Sequence, residues 1–544
     1  MFEWQRSTKA ANHWSTMKTY LLTLLCLALG AAAAAPTPAH AAPGLPSTNV
    51  AWQPAATDAD IDRAFARARA ENKPVLLYWG ATWCPPCNQL KATLFNRQEF
   101  AALSKNFVAV HVDGDRPGAQ KLGRRFKVSG YPTTVLFTPE GQEITRLPGE
   151  VDAEQALAVL QLGLNGGRPV KAVLADALAA RPLSAGDWKL LAFYSWETDE
   201  SQVVPKAEVP ALLSRLAVAH GTSAVTGGVE ITTRLWLKAL AASDDGQGVK
   251  ADAMLRDLVR RVLADPSLSR EHMDALAGGA ADIVRTLEAE GSAGRAPLLA
   301  AYDAALLRLQ NDTTLSRGNR MDALYARIQL ARIDMPKDTV QVTLPAPLLK
   351  DVREFVARAD REITDGYERQ AVITYAGGAL GLAGLWAESE ALLKANLAKS
   401  HSPYYLMSQL GSNARKQGKN DEALGWYRQA FEKSEGPATR LQWGASYLMA
   451  LVDLAPQDAR RVEKTTAQLI TEAAKDKGAF EGRSVRSLQR VSTKLVGWNA
   501  EGKHAAALKR LQTQLSGVCG KVDAAEGQRA ACQALLKPPA KKAG

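Results

Sequence analysis

The feature that most constrains the fold is a pair of cysteines, Cys84 and Cys87, set between a short apolar run and a helical pattern. The apolar run, Val75–Trp79, predicts a buried strand, and the helical pattern begins near Asn88. Two cysteines at this spacing can close a small disulfide ring. At a helix start the first sulfur lies near unpaired N–H groups and the positive dipole end, which favour its thiolate. We therefore interpret Cys84 as the attacking sulfur and Cys87 as the resolving one.

The segments around this pair occur in a recognisable order. Trp83-Cys84-Pro85-Pro86-Cys87 is followed by Gly130-Tyr131-Pro132-Thr133 and a second apolar run, then by the turn 139–142 and Gly149. Together these motifs resemble the thioredoxin superfamily over roughly residues 58–165. The resemblance implies an α/β thioredoxin-like fold and a cis peptide before Pro132. It also implies a substrate-facing surface made of Trp83, Pro85, Pro86, Tyr131, Pro132 and Thr133. Trp83 is expected to be partly exposed and to shield the sulfurs; a simple core position is the alternative.

The sequence departs from the family pattern in the strand before the cysteines. Thioredoxins usually carry a buried aspartate there that helps to move a proton off the second cysteine. The matching place holds Tyr78, and no acidic residue occurs between Val75 and Trp83. Water or a carboxylate from elsewhere would perform this step, or resolution is slow. His111, on the next predicted strand, is a candidate titrating group, although an ordinary core or surface histidine is the alternative.

The remaining cysteines bear on compartment and on metal binding. Cys519 and Cys532 lie thirteen positions apart and predict a structural disulfide between helix ends; a second redox pair is the alternative. Cys26 falls in a segment expected to be removed. The four cysteines that remain can form two pairs, which suits an oxidising compartment. A zinc site would need a second Cys or His pair, and none of the seven histidines is paired near a cysteine in sequence, so we predict no metal.

The N-terminal segment predicts export. Met17-Lys18 precedes an apolar run over residues 20–35, and an A-x-A pattern ends at Ala41. We interpret residues 1–41 as a signal peptide, with Met17 as the translation start, and residues 42–58 as a linker. The apolar run is short for a membrane span, although an uncleaved anchor is the alternative. The expected location is the periplasm, without stable membrane insertion after cleavage.

The pattern of apolar residues changes beyond the thioredoxin-like segment, which we place at residues 59–166. Strand signals nearly vanish and apolar residues recur at helical spacing. We predict a helical region at 167–354, tetratricopeptide-like repeats at 355–470 and a C-terminal helical region at 471–544. The repeat prediction rests on two glycine positions that recur thirty-four residues apart, Gly377 and Gly384 and then Gly411 and Gly418; the aromatic Tyr427 is replaced by Leu393 one period earlier.

The net charge and its distribution along the chain indicate which kinds of partner to expect. The 544 residues carry a formal charge of +11, but the basic residues are spread along the chain and no aromatic-plus-basic module accompanies them. We therefore expect acidic protein partners and no nucleic acid.

The predicted function is a thiol–disulfide oxidoreductase that reduces client proteins, needs no cofactor beyond its Cys84–Cys87 couple, and receives electrons from a membrane donor. A client-binding scaffold, or a disulfide oxidase or isomerase, is the alternative.

Overall fold

The structure, a computed structural model, describes residues 50–128, 130–147, 152–199, 202–223, 228–243, 246–336, 339–523 and 527–537. The predicted signal peptide, Cys26, the first part of the predicted linker and Gly149 lie outside the described residues.

A five-stranded sheet forms the centre of the amino-terminal part. Its strands are β1 (Gln53–Ala55), β2 (Val75–Gly80), β3 (Val108–Asp113), β4 (Thr133–Phe137) and β5 (Glu143–Leu147). Their spatial order is β1-β3-β2-β4-β5; β1, β3 and β2 run parallel, and β4 is antiparallel to β2 and β5. β2 is buried along its whole length, which explains its continuous apolar sequence. The residues that follow β2, which include the two cysteines, are therefore held at the edge of a buried sheet.

Helices cover both faces of this sheet. They are α1 (Asp58–Glu71), α2 (Pro85–Leu90), α3 (Gln98–Leu103), α4 (Ala119–Arg125) and α5 (Ala153–Leu164); α2 runs into a π-helical turn, Lys91–Phe95. Alternate residues of β2 point to opposite faces. Leu77 and Trp79 pack with residues of α1 and α4, whereas Leu76 and Tyr78 pack with residues of the π-helical turn and α3. The predicted strand–turn–helix order is thus present.

One local expectation differs from the structure. Part of the predicted linker contains β1, which extends the sheet along β3, and Trp52 beside it is buried against Phe95. Further along the chain, Asn96 ends the π-helical turn and α3 begins at Gln98 with Arg97 at its cap.

The rest of the chain is helical. Its first half contains α6 (Val170–Leu178), α7 (Ala185–Phe193), α8 (Val209–Gly221), α9 (Gly228–Ala242), α10 (Ala253–Ala264), α11 (Pro266–Glu271), α12 (Met273–Gly278), α13 (Ala280–Leu287), α14 (Arg295–Asn311) and α15 (Arg317–Ala331). Its second half contains α16 (Ala346–Glu362), α17 (Gly366–Leu382), α18 (Trp386–Asn396), α19 (Pro403–Lys416), α20 (Asn420–Lys433), α21 (Pro437–Leu454), α22 (Ala459–Lys475), α23 (Gly482–Trp498), α24 (Ala505–Cys519) and α25 (Gln528–Ala534).

From α16 to α22, each helix packs against the next one in the chain. In α17–α18 the side chain of Leu393 packs directly on Gly377, and in α19–α20 the ring of Tyr427 packs on Gly411, one period of thirty-four residues later. The turns of both hairpins contain a glycine with positive φ, Gly384 and Gly418, a conformation that glycine adopts without strain. This geometry agrees with the glycine spacing in the sequence, while membership of a repeat family stays a prediction.

The helical region also packs on the amino-terminal domain. α17 lies against α2, and α23 lies against α4. Both contacts are close to the loop that carries the two cysteines, so the helices that follow the domain form part of its candidate site.

Candidate active site

The two cysteines lie at the start of a helix. Cys84 is the N-cap of α2, and its Sγ accepts a hydrogen bond from the backbone N–H of Cys87 at 3.2 Å. Pro85 and Pro86 occupy the first two helical positions, where a missing N–H costs no helical hydrogen bond and the fixed φ of proline suits the first turn. The two sulfurs form a disulfide. The sequence therefore builds the helix-start arrangement that favours a thiolate at Cys84 once the disulfide is reduced.

The second motif lies beside the first. The peptide bond between Tyr131 and Pro132 is cis, and Thr133, which opens β4, pairs with Trp79 of β2. The ring of Tyr131 packs on the cluster that contains both cysteines. Two segments that are more than forty residues apart in sequence thus meet at one edge of the sheet.

The helical region covers this disulfide. Cys84 is 2% exposed and Cys87 is fully buried. The covering side chains come from α19, α20 and α21 and pack with the cysteines in one apolar cluster: Tyr404, Met407, Ala430 and Trp443. We call these four residues the cover. Because all four lie more than 300 residues from Cys84 in sequence, no local pattern predicted them.

Trp83 is buried, and not partly exposed as predicted. Only 5% of it is accessible, because its ring stacks on Tyr405 at 5.9 Å and meets the edge of Trp443 at 6.3 Å. Pro85 and Thr133 are buried as well. Three of the six residues predicted to face a substrate are therefore enclosed in this arrangement.

The other three residues predicted to face a substrate border open space. Pro86, Tyr131 and Pro132 are half-buried and line a cavity of about 700 Å³, whose other wall includes Tyr375 of α17. Neither cysteine lines that cavity. A client that entered it would reach the flank of the disulfide, so contact with Cys84 requires the cover to move.

A polar network joins the cysteine loop to α17 and to α21, the helix that carries Trp443 of the cover. The indole Nε1–H of Trp83 donates to Asp115 at 2.9 Å and to the Thr439 hydroxyl at 2.6 Å, and the backbone N–H of Thr439 donates to Asp115 at 2.8 Å. The side-chain amide of Gln370 donates to the Trp83 carbonyl at 3.2 Å. Burial raises the pKa of Asp115 to about 6, although the hydrogen bond from Thr439 opposes this shift. Asp115 therefore joins the two parts of the molecule and titrates in an accessible range.

A cation completes this network. The guanidinium of Arg483, at the start of α23, lies 4.6 Å from the ring centre of Trp83 and 5.2 Å from that of Tyr131. Its backbone N–H donates to Gln120, whose side-chain amide donates to the Tyr131 hydroxyl. Arg483 thus contacts an aromatic residue of each motif, in the geometry of a cation–π interaction.

The strand before the cysteines and its neighbour β3 hold buried groups in place of the usual aspartate. Tyr78 is fully buried, its hydroxyl has no hydrogen-bond partner among the described residues, and burial raises its pKa. His111 stacks on it at 5.1 Å, and burial lowers the pKa of His111 to about 3. His111 is therefore neutral near pH 7, which removes the titrating role considered for it.

Lys91 is a buried charged group, one helical turn after Cys87, that sequence reasoning missed. Its backbone N–H donates to the carbonyl of Cys87, so the two side chains are neighbours on successive turns. The ammonium lies 5.1 Å from the ring centre of Tyr367, and burial lowers the pKa of Lys91 to about 8, opposed by nearby Asp113. The spacing of four residues could have pointed to Lys91, whereas its burial depends on α17.

Cys519 and Cys532 form the second disulfide. Cys519 is the last residue of α24, Cys532 lies in α25, and both are buried in the apolar cluster of the C-terminal helices.

The described part of the chain contains no group of three or more His, Cys, Asp or Glu side chains that could hold a metal ion. Within the same residues, no helix is both long and apolar enough to cross a membrane.

Comparison with known proteins defines the amino-terminal part. The family model for a thioredoxin-like domain matches residues 61–163. The thiol:disulfide interchange protein DsbD 1 of Pseudomonas aeruginosa is 35% identical over 118 residues, 21% of this chain and 20% of that protein. The DsbD of Klebsiella pneumoniae is 28% identical over 157 residues, 28% of this chain and 26% of its own. A solved thioredoxin from Thermus thermophilus is 28% identical over 21% of this chain and 85% of its own, with a TM-score of 0.19.

Residues 61–163 therefore form a thioredoxin-like domain with a CxxC disulfide, followed by a helical region, as the sequence predicted. The similarity is to the thioredoxin-like part of the relatives, because the chain spans about a fifth of the length of the first curated relatives it matches.

Proposed function

We propose that the chain is a thiol–disulfide oxidoreductase whose Cys84–Cys87 couple exchanges electrons with disulfides of client proteins. The observation that carries this proposal is the position of Cys84 at the N-cap of α2, where its Sγ accepts the N–H of Cys87. Helix N-termini lower the pKa of a cysteine and so supply the thiolate that attacks a disulfide. The similarity to proteins named thiol:disulfide interchange proteins supports the same activity.

The proposed reaction transfers two electrons. The Cys84 thiolate attacks one sulfur of a client disulfide, forms a mixed disulfide and releases the other client sulfur as a thiolate. The Cys87 thiolate then attacks the Cys84 sulfur and releases the second client sulfur, so that the Cys84–Cys87 disulfide forms. The client gains two electrons and two protons, and a dithiol donor must return them to the enzyme.

The direction and location belong to the same proposal. The WCPPC motif is similar to that of exported thioredoxin-like reductases, which favours reduction of clients. The N-terminal apolar run and the A-x-A pattern that ends at Ala41 favour export to the periplasm. A redox protein in the membrane is the proposed electron donor.

One observation favours a second candidate, a client-binding scaffold. The cover leaves only 2% of Cys84 accessible, so the disulfide of this arrangement is out of reach of a protein substrate. A scaffold would use the helical region for binding and would not need the sulfurs to cycle.

The reduction potential of the Cys84–Cys87 pair separates these candidates. The protein is equilibrated with glutathione and dithiothreitol buffers, and alkylated peptides report each disulfide separately. A potential near about −270 mV is expected and supports a reductase. A value near about −120 mV would make the protein an oxidant or isomerase. A pair that does not cycle would favour the scaffold.

A further inference from the structure

A positively charged cleft runs between α21 and α23. It has a volume of about 1290 Å³, and it opens to solvent along the exposed side chains of Arg486 and Arg490. Its described lining includes five cationic side chains and one carboxylate: Arg415, Arg483, Arg486, Arg490, Lys494 and Asp453. Asp453 forms ion pairs with both Arg415 and Lys494, so the lining keeps a clear excess of positive charge.

The cations follow one face of a single helix. Arg483, Arg486, Arg490 and Lys494 are three or four residues apart, which places them on one side of α23. At 1.5 Å per residue the row is about 17 Å long. An extended polypeptide of roughly five residues spans that length. The row therefore matches a chain of spaced negative charges better than a single small anion.

One end of the row reaches the redox site. Arg483 lines the cleft, and its guanidinium also lies against Trp83 and Tyr131, one aromatic residue from each of the two motifs of the site. A ligand bound along α23 would thus be held next to the disulfide. This continuity connects the cleft to the candidate active site without any further assumption about the cover.

We infer that this cleft binds an acidic polypeptide segment of the client or redox partner and so holds that protein beside Cys84–Cys87. The inference rests on the proposed function for the identity of the partner, while the binding itself depends only on charge. Guanidinium groups pair with carboxylates through two parallel hydrogen bonds, which makes an arginine row suited to glutamate and aspartate side chains.

The aromatic content of the cleft argues against single-stranded nucleic acid. Such ligands need several free aromatic faces on which successive bases stack. Trp498 is the aromatic residue in the described lining, and its ring is stacked on His504 at 3.6 Å, which occupies one face. The cleft therefore offers charge with little stacking surface, as an acidic peptide requires.

Binding of a labelled acidic peptide tests the inference. The probe is a fluorescein-labelled ten-residue peptide of alternating Glu and Ser, and its reference carries Gln in place of Glu. Fluorescence anisotropy should show at least about tenfold tighter binding of the Glu peptide, lost progressively as salt shortens the screening length. Equal binding of the two peptides would overturn the inference.

Charge reversal locates the binding. Arg486→Glu/Arg490→Glu changes two exposed side chains of the cleft and should weaken binding at least about tenfold. The matched control is Arg215→Glu/Lys509→Glu, which changes two exposed cations on α8 and α24 and alters net charge equally. The control should stay within about twofold of wild type. An equal loss in both variants would mean a general charge effect and would overturn the site.

Competition and a redox-dead protein complete the test. A ten-residue oligothymidylate that displaces the peptide at lower concentration would assign the cleft to nucleic acid, and capture by phosphatidylglycerol vesicles without peptide binding would assign it to lipid. Either result overturns the inference. Binding is repeated with Cys84→Ser/Cys87→Ser. Because binding needs no sulfur, the peptide should bind equally, so a failure of the proposed redox activity is distinguishable from a failure of the cleft.

Discussion

The two disulfides of the molecule are equally buried but differ in where their helices place them. Cys84 precedes the first turn of α2, whereas Cys519 ends α24. A helix N-terminus favours a thiolate, while the negative end of the dipole at a C-terminus disfavours it. Exposure does not distinguish the pairs, because each has one cysteine that is fully buried and one that is 2% exposed. The direction of the helix is therefore the better guide to which pair is reactive.

The two pairs also differ in what buries them. Cys519–Cys532 lies in a cluster formed by the second half of the chain and is enclosed there by α24, α25 and their neighbours. Cys84–Cys87 is enclosed by side chains from a separate part of the chain, joined to the cysteine loop by polar contacts such as that of Thr439 with Asp115. A buried pair at such a junction can become accessible by separation of two packed parts, whereas the C-terminal pair needs local unfolding.

Removal of each pair should give the largest contrast. Cys84→Ser is expected to abolish catalysed reduction of an insulin disulfide, because the attacking sulfur is lost. Cys519→Ala/Cys532→Ala should leave that rate within about twofold of wild type but weaken α24–α25. The loop-closure estimate for the thirteen-residue separation is about 3 kcal/mol, measurable as a fall in the free energy of hydrogen-exchange opening.

This contrast would fail in two ways. Loss of reductase activity in Cys519→Ala/Cys532→Ala, with normal protection in α24, would show that the C-terminal pair takes part in electron transfer. Unchanged activity in Cys84→Ser would remove the thioredoxin-like domain from the reaction altogether.

Loosening the cover should expose one pair and not the other. Trp443 is 6% exposed and its ring meets the rings of Trp83 and Tyr405. Truncation of a buried tryptophan costs roughly 3–5 kcal/mol in a core, so Trp443→Ala should speed reduction of Cys84–Cys87 by tris(2-carboxyethyl)phosphine by about tenfold or more. Mass spectrometry of alkylated peptides separates this rate from that of Cys519–Cys532, which should not change.

Trp188→Ala is the matched control for that experiment. Trp188 is 4% exposed in α7 and packs against His220, outside the cover. It should leave the reduction rate of Cys84–Cys87 unchanged. If both variants speed the reaction equally, general destabilisation explains the effect and the cover does not limit access.

The elements of the redox domain could be predicted because their signals are local. The segments Thr133–Phe137 and Glu143–Leu147 are separated by the turn at 139–142, and both form strands. The CxxC spacing with two prolines likewise determines a helix start. The short β1 was missed since three residues, one of them a proline, carry too little pattern to oppose a linker interpretation.

The cover and the arginine row could not be predicted for a different reason. Thr439 and Arg483 approach the cysteine loop only because the helices that separate them from it in sequence pack in a particular order. The sequence around Trp83 contains no signal of that packing, so it was compatible with an exposed tryptophan. The same long-range packing buries Lys91, whose place one turn after Cys87 was visible in the sequence.

Acidity should modulate the cover through Asp115. Burial raises its pKa from the usual 3.8 to about 6, with Asp113 raising it further and Arg483 lowering it. The covered form therefore binds a proton more firmly than a form with Asp115 in water. That advantage is complete below about pH 4 and is lost as pH rises through 6, so uncovering is favoured above pH 6 by on the order of 3 kcal/mol.

The rate of phosphine reduction between pH 4 and 7 measures this effect. Relative to an unstructured disulfide peptide, Cys84–Cys87 should react faster as pH rises, by up to about 100-fold. Asp115→Asn keeps the shape of the side chain and should flatten the profile, while Cys519–Cys532 provides an internal reference. A wild-type profile that matches the Asn variant would show that Asp115 does not couple to the cover.

The smallest effect is expected at the resolving sulfur. In a Cys84→Ser background, ultraviolet absorbance of the thiolate reports the pKa of Cys87 without any need for solvent access. The ammonium of Lys91, one helical turn away, should stabilise that thiolate, and Lys91→Met should raise its pKa by about 1 unit. Lys91 carries this charge below its pKa of about 8, so the thiolate titration curves of the two proteins should differ most at or below pH 8 and converge above it.

Tyr78→Phe is the matched control, because it changes a buried polar group on the strand before the cysteines without changing charge. Its hydroxyl has no partner among the described residues, so its removal should shift the Cys87 pKa by less than about 0.3 unit and cost little stability. A larger shift in Tyr78→Phe than in Lys91→Met would reverse the assignment. Tyr78 would then replace the aspartate of other thioredoxins in handling the proton of Cys87, and Lys91 would serve only to pack against Tyr367.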